Sequence, residues 1–158
     1  MKELTLLHFF EGHVSATELE RDAAGSVTRH VDSAGVQFGA HRITNMDEDF
    51  TVTPNHLVCL LDAIRDGELT LDSVDAIAFC LEASDRFQWD ADEEAGNRVA
   101  STLFWLGTPE INYPLTDSVL EKIRHYLMTG ENTLTRADTR IRNRIRGTRQ
   151  TKIFEQDV

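Results

Sequence analysis

The chain has 158 residues, of which 41% are hydrophobic and 27% charged, and a formal net charge of −11. That length and apolar share fit one domain with a single ordinary core and exclude a wholly disordered chain. No run approaches the roughly 20 apolar residues of a membrane-spanning helix, and the opening residues, with an early acid and no small-residue cleavage site, make a poor signal peptide.

Leu4, Leu7 and Phe10, joined by Leu6 and Phe9, predict a first short helix ending near Gly12. Ser15-Ala-Thr-Glu18 is a capping box that opens a second helix, with Leu19 and Ala23 inward and Gly25 as its stop. The stretch from Ser26 to Gly39 is weakly patterned. The runs from His41 to Met46 and from Asp49 to Thr53 alternate, so a small β-hairpin is expected near residues 41–53, with coil as the alternative.

Thr53-Pro54 places a cap before a proline at the first helical position, and Leu57, Leu60, Leu61 and Ile64 line one face up to Gly67. Thr70 caps the next helix, with Leu71, Val74, Ile77, Ala78 and Leu81 inward. The short connection between these two helices predicts antiparallel packing. A further helix is expected from about Asp92 to Leu106, with Ala95, Val99, Leu103 and Leu106 inward. Pro109 and Pro114 then exclude helix between them. Thr116 caps a last helix with Val119, Leu120, Ile123 and Leu127 inward, closed by Gly130. The expected fold is therefore mainly α, a bundle of about five to six helices.

Charge divides the chain unevenly. Residues 1–130 hold 23 Asp+Glu against 9 Lys+Arg, whereas residues 131–158 hold 4 against 7. The first part reads as one acidic helical domain and the second as a basic tail carrying Arg140, Arg142, Arg144 and Arg146. The acidic body disfavours anionic membranes and nucleic acid, with the tail arginines as the one exception, and favours a basic protein partner.

Two loops flank the helix expected at 92–106. The first holds Asp85, Phe87, Trp89, Asp90, Asp92 and Glu93, followed by Glu94. It is not a calcium loop, because Gly96 comes too late and aromatic residues interrupt the oxygen donors. Asp92, Glu93 and Glu94 suit a helix start. Phe87 and Trp89 are either a lid over the core or aromatic anchors for a partner. The second loop runs from Pro109 to Thr116. There Ile111, Tyr113 and Leu115 alternate inward, and Glu110 and Asn112 face the other way. Either Asn112 and Tyr113 satisfy buried backbone groups, or Glu110 and Asn112 join the acidic loop in one recognition patch.

His56 and Cys59 are three apart on one helix, with Cys80 on its neighbour. Both cysteines fall in apolar helical runs, which marks them as buried thiols, and no C-x-x-C pair exists, so no metal or other cofactor is expected. No nucleophile elbow, phosphate loop, dinucleotide glycine pattern or H-E-x-x-H motif is present.

The segments L-L-D-A-I-R-D-G-E-L at 60–69, I-A-F-C-L-E-A-S-D-R-F-Q-W-D at 77–90 and P-E-I-N-Y-P-L-T at 109–116 resemble a family of small acidic bacterial proteins of uncharacterised role. The segment F-F-E-G-H-V-S-A-T-E-L at 9–19 is loosely similar to the opening of colicin-type immunity proteins. That second resemblance implies a small helical protein that binds and blocks a toxin. The leading expectation is a cytoplasmic immunity or antitoxin-like protein, not an enzyme, that meets a basic partner through Asp85, Phe87, Trp89, Asp90, Asp92, Glu93, Glu110 and Asn112. The alternatives are a non-catalytic interaction scaffold and an enzyme that uses the carboxylate cluster.

Overall fold

The computed structural model describes residues 1–31, 33–35 and 37–139. The tail arginines Arg140, Arg142, Arg144 and Arg146 lie outside the described residues. The fold is mainly α, and the described residues form six helices and four short strands in the order α1 (Glu3–Phe10), α2 (Ala16–Ala24), β1 (Val27–Val31), β2 (Gln37–His41), β3 (Phe50–Thr51), α3 (Pro54–Arg65), α4 (Leu71–Ala83), β4 (Phe87–Gln88), α5 (Glu94–Gly107) and α6 (Asp117–Thr129). Among the described residues, no helix is long and apolar enough to cross a membrane.

The helix boundaries follow from local chemistry. The Ser15 hydroxyl accepts the Glu18 N–H at 3.3 Å and the Glu18 carboxylate accepts the Ser15 N–H at 3.0 Å, which closes the expected capping box of α2. Thr70 and Thr116 accept from Ser73 and Val119 at the starts of α4 and α6. Gly130 ends α6 at φ +80°, a left-handed position that suits glycine.

Helix α3 packs against α6 and α5, α4 packs against α5 and α2, and α1 leans on α2. Leu57, Leu60 and Leu61 from α3 share one buried cluster with Ile77 and Leu81 from α4, Leu103 and Leu106 from α5, and Ile123 and Leu127 from α6. The direct antiparallel packing expected of α3 and α4 is not formed, because both lay their apolar faces on α5. Each such side chain contributes about 1.5–3 kcal/mol by leaving water. Leu71 and Ala95, expected inward, are exposed instead, as is Leu4 of the first apolar pattern. Each stands in the first turn of its helix. Past Gly130 the chain still rests on the body, because Leu134 packs on the core and Asp138 pairs with Lys122 at 2.7 Å.

The small hairpin exists, but earlier in the chain than residues 41–53. Strand β1 pairs antiparallel with β2, from Val27↔His41 to Val31↔Gln37. Residues 41–46 do not pair with 49–53, because their backbone groups are already engaged. Thr44 exchanges hydrogen bonds with Met1 and Glu3, and the buried Glu3 carboxylate accepts the Met46 N–H at 2.7 Å. Strand β3 pairs in parallel with β4, Phe50↔Phe87 and Thr51↔Gln88. That second pairing ties the loop after α4 to the segment before α3.

Candidate functional site

The loop between α4 and α5 is held by its apolar and turn-forming residues, which leaves its acids outside. The Ser84 hydroxyl accepts the N–H groups of Arg86 at 2.9 Å and Phe87 at 3.2 Å and so sets a tight turn. Strand β4 then drives the Phe87 ring into the core, edge-on to Phe10 and Phe50 at 6.4 and 6.1 Å. Phe87 is only 3% exposed. It is therefore a core residue and cannot reach a partner as a surface anchor. Trp89 is half-buried against the same core, which favours the lid over the anchor for this residue too.

The carboxylates flank β4 on both sides. Before it, Asp85 and Asp49 lie about Arg86, whose guanidinium donates to Asp49 at 3.0 Å. That hydrogen bond, and then the charges of Asp49, Asp47 and Asp85, hold the Arg86 guanidinium above its ordinary pKa. After β4, the Asp90 carboxylate accepts the Asp92 N–H at 3.0 Å and the Asp90 carbonyl accepts the Glu93 N–H at 3.1 Å. This turn lies directly on Gly96, where an added methyl would overlap the Asp90 backbone. Gly96 is therefore a close-approach glycine that seats the turn on the first coil of α5. Asp85, Asp90, Asp92 and Glu93 are all exposed, as are Asp47, Glu48 and Asp49.

Glu110 and Asn112 do not join this group. Glu110 lines a shallow groove with Leu71, Pro109, Pro114 and Leu115. Leu71 opens α4 whereas Asp85 follows its end, and 13 helical residues span about 19 Å. The 14 residues of α5 likewise separate the Asp90–Glu93 turn from the second loop by about 20 Å. The single patch expected from the sequence is thus two sites at opposite ends of a helix. Asn112 instead holds its own loop together. Its side-chain amide donates to the Thr108 hydroxyl at 2.6 Å and its backbone N–H donates to the Thr108 carbonyl at 3.1 Å. The Thr108 carbonyl also receives the Ile111 N–H. The chain turns here instead of extending, so Ile111 is thrown outward, 72% exposed, away from the inward side expected for it.

The two cysteines differ. Cys80 is buried, and burial first, then the nearby Glu3 charge, pushes its thiol up to about 12. Cys59 is exposed on α3, although its apolar neighbours marked it as buried. Among the described residues, no three His, Cys, Asp or Glu side chains gather as a metal cage.

Two features carry no signal in the sequence. One is the contribution of Asp47, Glu48 and Asp49, which only the β3–β4 pairing brings beside Asp85. The other is a row of half-buried aromatic rings, with Trp105 packed 5.2 Å from Tyr126 and 5.9 Å from Tyr113. No family model, curated protein or solved structure matches the chain.

Proposed function

We propose that this chain is a protein-binding module that captures a basic partner through the acidic loop between α4 and α5, in the manner of an immunity or antitoxin protein. The observation that carries this reading is the division of labour in that loop. Phe87 and the β3–β4 pairing fix the backbone, and Asp85, Asp90, Asp92 and Glu93 are left exposed on it. Carboxylates on a pre-set backbone steer a cationic surface without an ordering cost at binding. They would cover the basic active site of a toxin by presenting charge where its substrate does. A cytoplasmic location belongs to the same reading, because such a partner must be blocked where it acts.

Neutralisation is the test. Cells that produce a basic toxin domain encoded in the neighbouring reading frame should be rescued by this chain. Rescue should fail when Asp85, Asp90, Asp92 and Glu93 are replaced together by Lys, while the far-UV helical signal is unchanged. Undiminished rescue by that variant would remove the acidic loop from the mechanism.

A further inference from the structure

We infer that the aromatic row on the α5–α6 face is the docking track for an arginine-bearing segment of the partner. The inference rests on the cationic-partner reading and deepens it. The row is continuous: the Tyr126 hydroxyl reaches the Asn97 side chain at 3.5 Å, the Tyr126 ring tilts against Trp105, and Trp105 meets the edge of Tyr113. All three residues are half-buried, neither sealed in the core nor free in solvent. Rigid, partly exposed Trp and Tyr side chains are the residue types that carry most energy at protein interfaces.

Charge selects the occupant. At the Asn97 end, Asp92, Glu93 and Glu94 border a groove of about 410 Å³ that Tyr126 also lines. At the other end, exposed Glu110 belongs to the loop that carries Tyr113. Two of the basic groups near the row are paired with carboxylates, Lys122 with Asp138 at 2.7 Å and Arg124 with Asp62 at 3.2 Å. Arg98 lines the same groove beside three carboxylates, with one guanidinium nitrogen turned to the Leu127 carbonyl at 2.9 Å. A half-buried aromatic row beside a carboxylate-bordered groove suits a guanidinium, which stacks on aromatic rings and bonds carboxylates in a planar fork. An ammonium of equal charge does the second less well and the first more weakly.

The probe is a blocked peptide of alternating Arg and Gly, titrated into the full ¹⁵N-labelled chain and followed by NMR. The Trp105 indole N–H and the Tyr113 and Tyr126 amides should shift saturably. The matching Lys peptide should bind several-fold more weakly. Trp105→Leu, which keeps apolar bulk against the core, should weaken the Arg peptide about tenfold, the scale of a desolvated cation–π contact. Phe79→Leu, at an exposed ring of α4 that stacks on His41 and not on the row, should bind the peptide as well as the unaltered chain does. A peptide that shifts the Asp85–Glu93 amides and leaves Trp105 unmoved would overturn the track and leave the acidic-loop reading standing. No saturable shift anywhere would overturn both.

Discussion

Single residues in this protein carry roles that their neighbours in sequence do not disclose. Gly96 is the clearest case, since its missing side chain lets the Asp90 turn lie on α5. Gly96→Ala should cost about 1–3 kcal/mol through overpacking, read as a lower midpoint in urea unfolding. An unchanged midpoint would mean that the turn moves away freely. His56 is a second case. Its Nδ1 accepts the Thr53 N–H at 3.1 Å, and its ring packs on both Phe10 and Phe50, at 5.1 and 5.0 Å. Burial lowers its pKa. The unfolded chain therefore takes up the proton first as pH falls, so the neutral ring contributes stability above the unfolded value of about 6.5 and that contribution is lost as pH falls through the lower folded value. Melting between about pH 7 and about pH 5 should show this loss. His56→Gln, which retains an acceptor at the third helical position, should show less of it. Neither role was legible in the sequence. The capping box of α2, the threonine caps of α4 and α6 and the apolar faces of α3 and α6 were legible, because they depend only on spacing within one helix.

At the scale of elements, strand β4 decides what the acidic loop can do. Residues 50 and 87 are far apart in the chain, and their parallel pairing fixes both the backbone of the loop and the buried place of Phe87. Phe87→Ala should lose about 3–5 kcal/mol, measured by thermal or chemical unfolding. Loss of partner affinity with unaltered stability would instead restore Phe87 as a surface anchor. The alternation that marked residues 41–53 as a hairpin was real at β3, but alternation names a strand and not its partner. The expected union of the two loops failed for a similar reason. Each loop was placed correctly at an end of α5, and the length of the helix keeps them apart. Ile111 shows the limit at closer range, since the Thr108 turn reverses the side that alternation assigned to it.

For the molecule as a whole, charge is the property most plainly written in the composition, and its placement is the property that only the fold supplies. Asp47, Glu48 and Asp49 come beside Asp85 through a strand pair, and Trp105, Tyr113 and Tyr126 align through helix packing. Binding of a cationic segment should therefore depend on where the acids are, beyond how many there are. It should also weaken between about 0.1 M and about 1 M salt, where the Debye length falls from about 10 Å to about 3 Å. The most direct measurement compares two variants of equal net charge. In one, Asp85, Asp90 and Asp92 become Asn and Glu93 becomes Gln. In the other, the same exchange is made at Asp66, Glu68, Glu121 and Glu11, which are exposed elsewhere. Affinity for the Arg–Gly peptide should fall at least tenfold in the first variant and stay within about twofold of the unaltered chain in the second. Equal losses in both would show that bulk charge alone draws the peptide, and would contradict recognition at the acidic loop.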